Sequence, residues 1–368
     1  MKSKILAGIF IILSVAAFAE EEEMNEHLKK ELLELETKAL VASGHQLSAE
    51  MAHKEYPSEY FAEYQDNLFC KMSDEHKMQY ENGGGGELSD KNGSPAHMKS
   101  VLSSSAMTFN LLGNGEIPAK EGNAFFAHGT YKIEYEKKFI TVNTPGGRQH
   151  PACLDAFLLN GTNAIFCEMK MTEWMKPRGE NDLLSSSYCE NKYYYFDTED
   201  GKETIKAFEK FRESLFSKMT ERKSKNGYKS HLFKYYDAWQ MYKHILGIYN
   251  MSSAVARSEA AKQEKDDVRL LPPLKTARLV NVIFEPPEDA FSDEDVRKEY
   301  RELSEEEHEE FAIFKECFEK SGVKEAFKKD CGIDFSLELL TAAQFMDCFE
   351  LNDRTDYLQR YRLDKPAR

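Results

Sequence analysis

The chain has 368 residues, 41% hydrophobic and 12% aromatic, a globular composition with apolar material for a substantial core, in one large domain or two small ones. Its net charge of −15 argues against a protein that holds nucleic acid mainly by neutralising phosphates with an overall basic surface. The charge is uneven, however: Lys202 to Lys234 is rich in Lys and Arg, whereas Glu285 to Glu310 is strongly acidic.

At the N-terminus Lys2 and Lys4 precede an apolar run from Ile5 to Ala16 and then Ala17-Phe18-Ala19. This is the pattern of a signal peptide over residues 1–19, with a mature chain starting near Glu20 and an exported, periplasmic or secreted protein. The run is too short for an ordinary transmembrane span, and no Cys follows it, so no stable membrane anchor is expected. The alternative is a start at Met24 and a cytoplasmic protein. The seven cysteines favour that alternative: they form no CxxC, their odd count leaves a free thiol, and a reduced protein is the simpler reading.

Glu21 to Val41 is strongly helical and charged. Tyr56 to Met72 predicts an amphipathic helix, with Phe61, Tyr64, Leu68 and Phe69 on one side and Glu59 and Glu63 a turn apart. Asn82 to Pro95, with Gly83 to Gly86, reads as a loop, Ser103 to Leu112 as a helix and Tyr131 to Val142 as a first core strand. Asn181 to Tyr195 is irregular and ends in three tyrosines, better suited to core packing than to base stacking. Lys202 to Lys218 and His231 to Tyr249 predict helices, the second with an apolar stripe through Tyr235, Trp239, Tyr242, Leu246 and Tyr249. The basic run reads as a solvated helix face with paired acids, although a basic strip could also track a phosphate backbone. Arg278 to Phe284 predicts a further strand, and Ser292 to Tyr361 reads as mostly helical.

The most informative stretch is Pro151 to Trp174. Leu154 to Leu159 and Ala164 to Met171 are short apolar runs around Asn160-Gly161-Thr162-Asn163, a hairpin with Gly161 suited to the first central position of a type II′ turn. With Asn160 opposite Asn163, Asp155 falls opposite Glu168, their Cβ atoms about 4.5–5.5 Å apart, where like charges repel. Lys170 shares that face. Two facing carboxylates beside an ammonium imply either a protonated acid or a bound cation, for which Mg²⁺ or Mn²⁺ is the natural hard-oxygen choice. Both faces of the hairpin are mostly apolar, so these are central strands covered on both sides.

At these residues the chain resembles the PD-(D/E)XK nuclease superfamily, with Pro151 and Asp155 at its Pro-Asp position and Glu168-Met169-Lys170 as its (D/E)XK. Unlike the family pattern, Pro151 and Asp155 are not contiguous. The chain is also similar to a bacterial group of restriction endonucleases at Ser103 to Gly113, Tyr131 to Lys138 and Tyr236 to Tyr249. The resemblance implies an α/β fold with a restriction-endonuclease-like α-β-β-β-α-β core sandwich and helical additions at both ends. It implies one domain over residues 24–368, with a core from about 130 to 286 and an acidic helical part over 287–368.

The implied activity is metal-dependent hydrolysis of DNA. Asp155, Glu168 and the Met169 carbonyl would hold Mg²⁺ or Mn²⁺, and Lys170 would position or activate the attacking water. A further acid would come from Glu134 or Glu136, which spacing on one strand face does not separate. Gln240, with Lys243 behind it, would face the site from the following helix. A homodimer is compatible with this reading. The chain has no P-loop, dinucleotide motif, HExxH or GxSxG, and its ten His do not cluster. The competing expectation is an exported non-catalytic protein that keeps the fold as a binding module, motivated by the leader and the acidic charge.

Overall fold

Six strands lie side by side in chain order, with a buried core on each face of the sheet. The computed structural model describes residues 26–42, 59–83, 86–91, 93–143, 151–178, 184, 186–221, 233–263, 271–351 and 357–361. The leader expected over 1–19 and the basic residues from Arg222 to Lys229 lie outside the described residues.

Helix α1 spans residues 26–42, within the stretch expected to be helical. Helix α2 (Asp74–Asn82) begins where Ser73 Oγ accepts the His76 N–H. Helix α3 (Ser104–Leu112) begins likewise, Ser103 accepting from Ala106. Each such cap is worth about 1 kcal/mol. Strands β1 (Glu116–Ala119), β2 (Gly129–Phe139), β3 (Ala152–Asn160) and β4 (Asn163–Lys170) follow as an antiparallel meander. Helices α4 (Lys202–Glu221), α5 (Ala238–Ser252) and α6 (Ala254–Gln263) then lead to β5 (Thr276–Ile283), which pairs parallel with β4. Helices α7 (Glu294–Ser321) and α8 (Val323–Ala326) lead to β6 (Asp334–Thr341), parallel to β5, and α9 (Ala342–Asp347) follows.

The hairpin forms as expected, with Asn160 opposite Asn163 and Gly161 at φ +58. Thr162 is not among the residues with positive φ, so the turn has the type II′ pattern. One face of the sheet buries Ile133, Ala156, Ile165 and Val280 against Met107 and Phe109 of α3. The other buries Phe157, Phe166 and Leu279 against Phe211 of α4 and Tyr242 and Leu246 of α5. The central strands are thus covered on both sides, and the α5 stripe packs as its spacing requires. Tyr194 and Tyr195 are core residues. Among the described residues no helix is long and apolar enough to cross a membrane.

The described part of the basic run is a solvated face with local acids. Lys206 pairs with Glu203 at 2.9 Å and Lys202 with Glu199 at 2.6 Å, whereas Arg212 turns inward to the Tyr188 carbonyl at 2.9 Å. The pairs are spaced i,i+3 rather than i,i+4.

Three expectations are corrected. Residues 59–72 form no amphipathic helix, only a short 3₁₀ turn at Tyr64–Asn67. Non-local bonds hold that segment: Phe61 N–H donates to Lys99 O, Val101 N–H to Glu59 O, and Asn67 Nδ2 to Met98 O and Ser100 O. The C-terminal third contains β6, because Phe335 and Leu337 alternate into the core and the β5 edge offers parallel pairing. Helix α5 starts at Ala238 rather than near His231, because the N–H groups of Lys234, Tyr235 and Tyr236 are taken by the Glu310 carboxylate.

Candidate active site

The hairpin ladder runs from Asn160–Asn163 to Ala156–Cys167 and stops one step short of Asp155 and Glu168. Beyond that point β3 resumes pairing with β2 at Leu154–Lys137, while β4 continues with β5 through Glu168–Asn281 to Lys170–Ile283. The sheet therefore forks at the two acids. Asp155 does not face Glu168 as a ladder partner. Instead its Oδ2 accepts the Met169 N–H at 2.6 Å, using a backbone donor that the fork leaves to it.

The fork opens into a cleft of 580 Å³ whose walls include Glu136, Cys153, Asp155, Glu168, Lys170 and Gln240. Glu168 is 2% exposed, and Lys170 Nζ donates to its Oε1 at 2.6 Å. On the other side His244 Nε2, itself buried, lies 3.0 Å from Glu168 Oε2. Close as that approach is, neither ring nitrogen nor Oε2 completes a directed hydrogen bond. Burial, then the neighbouring Glu168, push the Asp155 carboxyl well above the usual range. Burial also pushes Glu168 upward, but the Lys170 ammonium and then His244 outweigh it and bring that carboxyl down to about 2. Lys170 is raised: its carboxylate neighbours, Glu168 first, overcome the opposing effect of burial. Without a cation the two carboxyls are thus pushed apart, Glu168 toward its ionised form and Asp155 toward its protonated form.

The backbone separates the two candidate acids on β2. Glu136 has φ +50, a left-handed conformation unusual for a residue with a side chain. The alternation reverses there: Tyr135 packs on the α3 side, while Phe139, an even number of residues away, packs on the α5 side. Glu136 consequently reaches the cleft and accepts from Cys153 Sγ at 3.2 Å. Glu134 is not among the lining residues and pairs with Lys137 at 2.5 Å. The expectation that the two share one face is thus corrected. Gly83 makes room for Glu136, since a Cβ on Gly83 would lie 2.3 Å from Glu136 Oε2 and 2.7 Å from its Cβ.

Gln240 lines the cleft, and its N–H is capped by Asp237 Oδ1 at 2.8 Å. Arg178 fixes that cap through Asp237 Oδ2 at 2.7 Å. Lys243 is not a lining residue. Of the two acids expected on a helix at 56–72, Glu59 lines the cleft and Glu63 does not. The sequence reading did not select Glu173, which lines the cleft, takes the Met171 and Thr172 N–H groups on Oε2 and accepts from Ser104 Oγ at 2.8 Å. Nor did it select His244, although a position one turn after Gln240 on the same helix was a usable signal.

Asp155, Glu168 and Glu136 are hard oxygen donors, and Glu168 Oε2 is a buried oxygen without a hydrogen-bond partner. Among the described residues, no three His, Cys, Asp or Glu side chains converge as a ready-made metal cluster. This donor set fits Mg²⁺ or Mn²⁺ rather than a closed structural site, because Mg²⁺ keeps several waters and takes one or two carboxylates.

The carboxylate–lysine fork thus lies in a mixed α/β protein with a six-stranded sheet. The chain belongs to the family described as Restriction Endonuclease associating with ARP, whose model matches residues 33–310. The matched region holds the fork, Glu136, Gln240, His244 and, at its last residue, Glu310. Comparison with curated proteins and with solved structures gives no match.

Proposed function

We propose that this protein is an endonuclease that hydrolyses phosphodiester bonds of DNA with Mg²⁺ or Mn²⁺ at a PD-(D/E)XK-type site. The carrying observation is the meeting of Asp155, Glu168 and Lys170 at the sheet fork, in a chain of a restriction endonuclease family. With β1, α4 and α6 set aside as additions, the remaining order α3, β2, β3, β4, α5, β5 is compatible with an α-β-β-β-α-β core.

In this reading Asp155, Glu168 and the Met169 carbonyl hold the cation, with Glu136 as the additional acid. When bound, the cation supplies Lewis-acid neutralisation of charge at the phosphoryl group. Lys170 orients the attacking water and stabilises negative charge developing on the phosphoryl oxygens. Its 2.6 Å bond to Glu168 fixes its ammonium beside that centre. Gln240, held by the capped start of α5, orients the water or the phosphate from the opposite wall. The excess of acids in the cleft makes DNA binding depend on the cation, which accommodates the overall net charge of −15. A partner of the kind in the family's description, ARP, belongs to the same proposal.

The test is cleavage of plasmid, linear and single-stranded DNA with Mg²⁺ or Mn²⁺, alongside Glu168→Ala and Lys170→Ala. Cleavage should require the metal and fall about 100-fold or more in either variant. Absence of metal-dependent cleavage, or cleavage indifferent to both substitutions, would sink the proposal.

A further inference from the structure

Helix α5 is fixed at three points. Before it, the N–H groups of Lys234, Tyr235 and Tyr236 are held by Glu310 of α7 at 2.6, 2.9 and 2.8 Å. In its second half, Gly247 comes so close to β2 that a Cβ there would lie 2.6 Å from Phe139 Cβ. At its end, Asn250 Nδ2 donates to the carbonyls of Ile140 and Thr141 at 2.9 and 2.7 Å. A helix held this way presents its inner residues on a rigid support. Gln240 and His244, one turn apart, both reach the fork.

His244 is 1% exposed, yet neither ring nitrogen has a directed hydrogen bond. An unsatisfied buried polar group costs about 1–3 kcal/mol, and among the described residues the one polar contact that offsets it for this imidazole is with Glu168. What it does touch is Glu168 Oε2 at 3.0 Å, opposite the Lys170 bond to Oε1. We propose that His244 is a positioning residue for Glu168. Lys170 holds one carboxylate oxygen and His244 confines the other, so the carboxylate plane cannot rotate at the fork. The functional meaning of this contact rests on the cation site proposed above, whereas the contact itself does not.

The experiment uses the full chain carrying His244→Ala, His244→Gln, His244→Leu, Glu168→Gln and the double variant His244→Ala/Glu168→Gln. Thermal unfolding without metal should give non-additive losses in the double variant, as expected for residues in contact. Titration with Mn²⁺ alone should show affinity about 10–100-fold weaker in His244→Ala, the usual effect of removing a group that orients a ligand. His244→Gln should recover part of that loss, whereas His244→Leu, which fills similar space without a polar group, should not. Additive losses, or Mn²⁺ affinity unchanged in His244→Ala, would overturn the proposal. If His244→Ala does not fold, His244→Leu takes its place in the cycle and in the titration, under the same criteria. If the wild-type chain binds no Mn²⁺, the cation reading fails, and the unfolding cycle alone decides the His244–Glu168 contact.

Discussion

Glu310 links the acidic helix α7 to the site, and replacing it with Gln has an effect whose sign changes with pH. The carboxylate is 1% exposed and accepts three backbone N–H groups just before α5, one on Oε1 and two on Oε2. In Glu310→Gln the amide oxygen can keep Tyr235 and Tyr236, but the amide nitrogen then faces the Lys234 N–H. That mismatch costs about 1–3 kcal/mol. Against it stands the burial of a charge. Burial raises the Glu310 carboxyl from 4.5 to about 7, despite the three N–H donors. The folded state therefore keeps the proton to higher pH than the unfolded chain does, and wild-type stability falls as pH rises from about 4.5 through about 7. At about 1.36 kcal/mol per pH unit, this group removes about 2–3 kcal/mol of wild-type stability between pH 5 and pH 8. Gln has no proton to lose. Urea unfolding should therefore find Glu310→Gln less stable than wild type at pH 5 and level with it, or above it, at pH 8. Glu307, one turn earlier and pushed up by burial and by Glu310, adds to the same trend. A wild-type-minus-variant difference that stays constant across this range would refute the reasoning.

Two further outcomes follow from close packing. Gly83→Ala places a Cβ where Glu136 Cγ and Cβ would be 2.6 and 2.7 Å away, so Glu136 must leave its place. The melt should fall by an amount equivalent to about 1–3 kcal/mol and cleavage should drop with it; a variant unchanged in both would refute the close approach. Arg360 and Glu36 are both 0% exposed and meet at 2.8 Å, and Arg360 also bonds Asn67 Oδ1 and Val101 O at 3.0 Å each. Arg360→Met should cost about 3–5 kcal/mol in urea unfolding, and adding Glu36→Leu should restore much of it. A second substitution that deepens the loss would show that the ion pair is not the source.

Much of the fold was legible because the signals were local. Turn chemistry set the hairpin and its register as far as Ala156–Cys167. Local composition and apolar spacing set α3 and the α5 stripe. Local signals misled where distant backbone supplied the partner. Residues 59–72 have an amphipathic pattern, yet residues 98–101 compete for their hydrogen bonds and win. Strand β6 was hidden because a parallel strand needs an edge that its own sequence does not announce.

For the site, the sequence by itself determined that Asp155, Glu168 and Lys170 would come together, since a two-residue turn and an alternation of two leave little freedom over so short a span. Only the tertiary structure decided how they meet. The ladder breaks at the two acids because β3 remains with β2 while β4 remains with β5, a competition between three pairings rather than a property of one hairpin. A left-handed Glu136, packed against Gly83, decided which acid of β2 reaches the cleft. The clamps on α5, from residues far away in the chain, brought His244 against Glu168. These contacts depend on where separate elements stop and how closely they approach, and neither quantity is written in local periodicity.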